Sequence, residues 1–461
     1  MTIDGPGPSV RSPEQPSAAH DPTGSMTGSD AADVVVVGGG VSGLVCARDL
    51  HDAGLTVVVL EASHRLGGRV LTQHTPGAEP VELGAQWVAD SHHQLQALLT
   101  RHGLRLRRPP RHGRVVHLDD AGRRTLPAWR APFASLTLLQ SLDFLVATAR
   151  LSLRTRQHPK DADIHISAAQ WLDGACRTAA GRQLLGSSLE ASACLPATDI
   201  SLAWVLDEFR RCGGLSRLSD TEQQVVVGGL GALVDCLAAP LDIRLDQSAN
   251  RLRRTGAQWQ IDTANAALAC DHVVVATAPA ATETLLPSAG DPQRKPGAVL
   301  KVVARYPRPF WRDSGRSGTA TNVRTAAVVT GTVDAGDADP GSDGHLIGFV
   351  TGRSAQRLAG RPAAEQRSAV LDDLVRLHGP AAREPLHLVV HDWSQETWSP
   401  GGYTWPAPPG AALSRRRVQG VQLAGSEHAD RWPGFVEGAV QAGHAAAAVI
   451  ADIGNSPPAS W

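Results

Sequence analysis

The chain has 461 residues, and its 44 Lys plus Arg nearly cancel 45 Asp plus Glu; that length predicts two or three folding units, and the flat charge excludes the field that nucleic acid or an anionic membrane would require. Six scattered cysteines, without a C-x-x-C pair or a histidine at ligand spacing, argue against a disulfide framework and against a metal site. No apolar run reaches the roughly eighteen residues of a membrane span, so a cytoplasmic protein with a small-molecule partner is expected.

Residues 1–30 are rich in Pro, Ser, Gly and Asp and lack a basic start and an apolar core. They read as a disordered tail rather than a signal peptide, with Met26 as an alternative start. The first buried-strand pattern, Val34-Val35-Val36-Val37, runs straight into Gly38-Gly39-Gly40-Val41-Ser42-Gly43, a G-x-G-x-x-G. An apolar-periodic stretch over residues 44–53 stops at Gly54, and a second strand over residues 56–60 ends at Glu61. This is a βαβ unit. In such a unit Gly38 permits the tight turn, Gly40 lets the backbone approach a pyrophosphate, and Gly43 lets helix and strand pack closely. Val41 and Ser42 open the helix, whose N-terminus faces phosphate charge. Glu61 stands about eighteen residues past Gly43, where a carboxylate accepts hydrogen bonds from ribose hydroxyls. A glycine-rich turn with a surface Glu is the bland alternative, and the strand–turn–helix placement favours a dinucleotide. These residues leave FAD and NAD open.

A helix-rich middle is expected over roughly residues 91–224, with amphipathic patches at 135–153 and 201–211. Strand character returns at Val225-Val226-Val227, continues in short alternating strands over residues 251–263, and ends in a buried strand over residues 271–278. A second region without nucleotide signals, about residues 295–392, holds an acidic, Gly-rich stretch at 331–344 that reads as a surface loop. The chain closes with a strand at Val421-Gln422-Leu423 and an Ala-rich helix over residues 435–450. Nucleotide-like segments alternate with other material, which predicts two interleaved domains.

Glu61-Ala62-Ser63-His64-Arg65-Leu66-Gly67-Gly68-Arg69-Val70 resembles the second signature of the flavin amine oxidase superfamily, and the likeness to monoamine and putrescine oxidases runs from about residue 33 to 450. The resemblance implies FAD, with Ala62 beside the ribose acid and Arg69 neutralising pyrophosphate or holding the loop. Val81 to Val88 resembles the segment that passes close to the flavin ring, so Gly84, Ala85, Gln86 and Trp87 are implied contacts. Arg211-Cys212-Gly213-Gly214 looks like the end of the family's central helical region, and Val227-Gly228-Gly229 like the turn that re-enters the FAD domain. Lys301, in Leu300-Lys301-Val302 with Pro309-Phe310-Trp311 after it, is similar to the lysine that in relatives holds a water against the flavin and helps dioxygen react. An exposed lysine on an edge strand is the plain alternative.

Trp393, Trp398 and Ser399-Pro400-Gly401-Gly402-Tyr403-Thr404 carry the next likeness. Several monoamine oxidases attach FAD through a cysteine immediately before this tyrosine, and Gly402 in its place implies noncovalent FAD. Ala424-Gly425-Ser426-Glu427, followed by Trp432-Pro433-Gly434-Phe435-Val436, resembles the segment whose helix N-terminus points at the flavin. Tyr403 and Phe435 would be the aromatic cage for a neutral amine, with Phe in place of the commoner second tyrosine.

The implied fold class is α/β with mixed α+β character: a Rossmann-like FAD-binding domain of the glutathione-reductase type, from residues 31–88, 222–295 and 394–461, interleaved with a substrate domain of mixed sheet and helices, from 89–221 and 296–393. The implied activity is oxidation of an amine C–N bond to an imine, then an aldehyde, with dioxygen reduced to hydrogen peroxide. The expected partners are a small-molecule amine and O2, with a homodimer left open. An L-amino acid oxidase or flavin desaturase on the same scaffold is the alternative. It needs a cation for the carboxylate: Ala85-Gln86-Trp87 offers none, and Arg305, Arg308 and Arg353 are substitutes. A redox-inactive flavin protein has no need of Lys301, Trp393 and Tyr403. A diamine would call for an acidic group deep in the pocket, and the sequence places none.

Overall fold

Four consecutive valines have no polar face, so a strand built from them must be covered on both sides. In a computed structural model that describes residues 31–74, 79–218, 220–287, 294–339, 341–411 and 420–454, β1 (Ala31–Val37) is that strand, with Val34, Val35 and Val36 fully buried. The expected N-terminal tail and Met26 lie outside the described residues. β1 pairs in parallel with β2 (Val57–Leu60) on one side and with Ala267–Val275 on the other. Asp242–Arg244 extends the sheet beyond β2, Val421–Leu423 pairs in parallel with Ala267–Val275, and the antiparallel strands Gln258–Thr263 and Ala249–Thr255 complete seven.

α1 (Val41–Asp52) begins directly after the glycine turn, and its N-cap, Gly40, supplies no side-chain acceptor. Its first-turn amides are therefore offered to a ligand. The final helix, Val436–Gly454, lies along α1. Gly443 makes that approach possible: a Cβ there would stand 2.6 Å from Ser42 O and 2.9 Å from Val45.

A second seven-stranded sheet runs in the order His387–Asp392, Val299–Tyr306, Gly344–Thr351, Gly331–Asp334, Arg316–Asn322, Arg114–Asp119 and Gly122–Leu126. Two sequence expectations change here. The expected helix-rich middle contains a β-hairpin, residues 114–126, which joins this sheet by parallel pairing with Arg316–Asn322. The stretch 331–344 is only partly a loop, since Gly331–Asp334 is an inner strand with Asp334 just 2 % exposed. That carboxylate accepts from Trp311 Nε1 at 2.7 Å and from Arg312 Nε at 2.8 Å. Of the four aspartates in this stretch, Asp334 is thus a buried partner of Trp311 and Arg312, whereas Asp337 and Asp343 are half-buried and Asp339 is exposed.

The remaining middle is helical. Thr137, Ser167, Thr178 and Ser201 each accept a backbone N–H and so cap Leu138–Arg154, Ala168–Ala175, Ala179–Ala193 and Leu202–Arg211. Two of the caps are full capping boxes with Gln140 and Gln170. The helices share a core that includes Leu151, Leu172, Leu185, Leu189, Trp204 and Phe209. Among the described residues no helix is long and apolar enough to cross a membrane.

Candidate active site

Two cavities open between these layers, of about 390 Å³ and about 1070 Å³. They meet, because Arg69, Ala85, Gly434, Phe435 and Val436 line both.

The smaller cavity lies over the glycine turn. Gly38 has φ +110°, and a Cβ there would sit 2.8 Å from Ala276 O. A Cβ on Gly43 would collide with Gly38 O, whereas Gly40 faces no atom within 4 Å. The turn is packed tight behind and open in front. Gly38, Gly40, Val41, Ser42, Glu61, Ala62, Trp398, Gly425 and Ser426 line the space, and Gly43 supports it from behind. Ser42 Oγ is already engaged, donating to Ala424 O. Glu61 is fixed at the end of β2 by accepting from Gly39 N–H at 2.7 Å and Ser63 N–H at 2.9 Å. Arg69 pairs with Glu427 at 2.7 Å and donates to Ser426 Oγ at 2.8 Å and Tyr403 O at 3.0 Å. Burial acts upward on the Glu427 carboxyl, yet Arg69 holds it below the usual range. Glu427 itself lines neither cavity.

At the junction, Lys301 Nζ donates to Gly84 O at 2.7 Å and Gln86 Oε1 at 2.8 Å. Its strand, Val299–Tyr306, is flanked on both sides, so the edge-strand alternative falls; Lys301 is 4 % exposed. Lost hydration brings its ammonium down to about 8, against the upward pull of Glu82 and Glu222. Trp393 Nε1 donates to Leu83 O at 2.8 Å, which ties the segment after the second sheet to the one before Gly84. Tyr403 and Phe435 are walls of the same larger cavity; the tyrosine hydroxyl donates to Ala191 O, and Phe435 packs edge-on against Trp432 at 5.3 Å. Trp87 Nε1 and Thr404 Oγ1 line this cavity buried and without a partner. Buried polar atoms are normally paired, so these mark groups that a bound ligand would satisfy.

The chain matches the family model "Flavin containing amine oxidoreductase" over residues 41–451. This protein belongs to the flavin-containing amine oxidoreductases. It is 31 % identical over 462 residues to the flavin-containing amine oxidase B of Sus scrofa, covering 92 % of this chain and 86 % of that one. Among solved structures, cyclohexylamine oxidase from Brevibacterium oxydans superposes with a TM-score of 0.84 at 26 % identity, over 92 % of this chain and 100 % of the other. A putrescine oxidase bound to putrescine gives 0.83 at 26 % identity, over 92 % and 99 %. The fold is that of these FAD-type amine oxidases, and the protein is an oxidoreductase acting on amines.

Sequence reasoning missed the charged lining of this amine oxidoreductase's larger cavity. Asp173, Glu190, Glu208 and Glu222 line it, as do Arg182, Arg324 and Arg353. Glu208 is buried, its Oε1 has no partner, and lost hydration pushes its carboxyl up to about 8, with Arg211 opposing. A signal was present: Glu208 follows Trp204 by one helical turn and so belongs to the buried face of Leu202–Arg211. Of the arginines considered for a substrate carboxylate, Arg305 pairs with Asp343 and Arg308 with Asp313, and neither lines the cavity. Arg353 lines it, with Glu190 3.9 Å away.

Proposed function

We propose that this protein is an FAD-dependent amine oxidase with noncovalent cofactor and dioxygen as acceptor. The observation that carries the reading is the meeting of a glycine-walled slot with an aromatic-walled chamber at Ala85 and Gly434 to Val436, with Lys301 anchored on Gly84 and Gln86 beside the junction. Gly38, Gly40 and the amides of Val41 and Ser42 would hold the diphosphate, and Glu61 with Ala62 the ribose. Gly84 to Trp87, Gly425, Ser426 and the start of the final helix would hold the ring, with Arg69 and Glu427 fixing the loops on either side. Bound FAD supplies the two-electron acceptor for the C–H bond next to nitrogen.

The protein's own work is positioning. Tyr403 and Phe435 offer flat apolar faces that favour the neutral amine and fix its direction of entry. Trp393, through Leu83 O, fixes the backbone that carries Gly84 and therefore Lys301. Lys301 holds a proton at Nζ near neutral pH and a place for water, which supports a role in the reaction with dioxygen. A cysteine at position 402 has no room, since a Cβ there would stand 2.9 Å from Cys194 Cβ and Sγ, and this supports noncovalent binding. Amines are favoured over amino acids because cavity arginines already face acids: Arg182 pairs with Asp173 and Arg324 with Asp373, and Arg353 has Glu190 3.9 Å away.

The test is an anaerobic screen in which purified yellow protein is mixed with primary, secondary and polyamine substrates and with L-amino acids. Bleaching by amines, with hydrogen peroxide on readmission of air, is expected. Bleaching by L-amino acids alone would replace this reading with an amino acid oxidase, and no bleaching by any amine would remove it.

A further inference from the structure

Glu222 lines the larger cavity, and among the described residues its carboxylate has no hydrogen bond or ion pair. The rest of its loop is fully engaged. Thr221 Oγ1 donates to Leu218 O at 3.4 Å, Gln223 accepts from Asp90 N–H at 2.6 Å and donates to Asp220 at 2.7 Å, and Gln224 Nε2 donates to Asp90 at 2.8 Å. Gln224 also exchanges backbone bonds with Val88, at 3.0 and 2.9 Å. The loop is therefore clamped to the residue after Trp87, on the segment whose Gly84 and Gln86 anchor Lys301. The Glu222 charge acts on both Lys301 and Tyr403, which puts this idle acid at the aromatic end of the cavity.

An alkylamine is an ammonium in neutral water, and it must lose a proton before its C–H bond can part with hydride, because the nitrogen lone pair stabilises the cation that forms. Few groups lining the cavity can take that proton. Lys301 is itself protonated near neutral pH, and the Tyr403 hydroxyl donates to Ala191 O. Asp173 is paired with Arg182 at 3.2 Å. Glu190 accepts Ala197 N–H at 3.0 Å, with Arg353 3.9 Å away. Glu208, brought up to about 8 by lost hydration, already holds a proton at pH 7. Glu222 remains. The titratable groups facing it are Arg111, Lys301 and Tyr403, and burial pushes its carboxyl above the ordinary glutamate value against the pull of Arg111 and Lys301. That makes it a stronger proton acceptor than a glutamate in water.

We propose that Glu222 is the proton acceptor of the amine-oxidising step: it takes one N–H proton from the incoming substrate ammonium, becoming a carboxylic acid, and leaves the neutral amine between Tyr403 and Phe435. The inference rests on the amine oxidase reading and deepens it, since it makes strongly basic amines the substrates this site is built to accept.

The measurement is the second-order rate constant for anaerobic flavin bleaching by benzylamine between pH 6 and pH 8, below the amine's own titration. Wild type is expected to be nearly flat over this range, because the carboxylate and the substrate ammonium both stay charged. Glu222→Gln keeps the shape and removes the acceptor. It can use only the neutral fraction of the amine, so its rate is expected to rise about tenfold per pH unit and to lie on the order of 10²-fold below wild type at pH 7. Glu222→Asp retains an acid and is expected to retain the flat profile. Trifluoroethylamine is largely uncharged at pH 7, and it is expected to bleach wild type and Glu222→Gln at rates within about twofold, a rescue that a merely structural lesion would not allow. A wild-type rate that climbs with pH as steeply as the variant's, or equal losses with both amines, would overturn the proposal. The wild-type profile decides the case even if the variant fails to hold flavin. No bleaching of wild type by either amine would remove the proposal together with the amine oxidase reading beneath it.

Discussion

Lys301 is the residue where charge, burial and position combine most tightly. Replacing it by methionine removes a desolvated ammonium but leaves Gly84 O and Gln86 Oε1 without a donor, a loss of about 1–3 kcal/mol against the gain from not burying charge. Lys301→Met is therefore expected to fold and retain flavin. Its reaction with dioxygen is expected to slow on the order of 10²-fold, by stopped-flow reoxidation of the reduced protein. Since the ammonium is present below about 8, wild-type reoxidation should fall as pH rises through that value, and the variant's should not. Equal rates in the two proteins at pH 7 would take Lys301 out of the chemistry. Gly402 makes a second test at this scale. Its missing side chain is matched by Cys194, which holds φ +56° in the left-handed region. Gly402→Ala is expected to destabilise by about 1–3 kcal/mol in denaturant titration. Most of that penalty should vanish in a Cys194→Gly background, where both the collision and the strained φ are gone. Simple additivity of the two changes would show that the crowding is absorbed elsewhere.

At the scale of elements, local pattern decided what was legible. The β1, α1, β2 unit is legible to within about three residues at each end because four valines, the glycine run and Glu61 lie within one stretch of chain. The hairpin at 114–126 was not, because its partner strand, Arg316–Asn322, is about 200 residues away and its own sequence shows only a short apolar run. Lys301 gave the same difficulty: its strand looks alike at an edge or in the middle of a sheet, and only the flanking Gly344–Thr351 and His387–Asp392 settle its burial. The cavity carboxylates were hidden for a related reason. Asp173, Glu190, Glu208 and Glu222 come from separate elements, and nothing in sequence spacing brings them to one wall. The packing of α1 on the final helix offers a direct test of how elements serve the slot. Gly443→Val would push a branched side chain into Ser42 O and Val45. It is expected to cost about 3 kcal/mol or more, measured by thermal unfolding of the apoprotein, and to weaken flavin retention by displacing the start of α1. A variant as stable as wild type with undiminished flavin content would mean that the two helices part without disturbing the glycine turn.

For the whole molecule, the buried acid at position 208 makes stability depend on pH. In the unfolded chain a glutamate titrates near 4.5, and in the folded protein lost hydration brings Glu208 up to about 8. Between those values the folded state holds a proton that the unfolded state has released, so stability falls as pH rises, by about 1.4 kcal/mol per unit at most for one group. The contribution is complete below about 4.5 and gone above about 8. Lys301 acts in the opposite sense over a different window, because its folded value of about 8 lies below its ordinary 10.5, and it adds stability as pH climbs from one to the other. The two effects are separable because their windows meet near pH 8 rather than overlap. Glu208→Gln keeps the shape of the side chain and removes the titration. Its melting temperature relative to wild type is expected to rise steadily from pH 5 to pH 8 and then level, with flavin content held constant across the series. A difference that stays flat over that interval would mean the Glu208 carboxylate is ionised in the folded protein and paired by the Arg211 charge, so that the cavity lining at position 208 would offer an incoming amine an ion pair instead of a neutral acid.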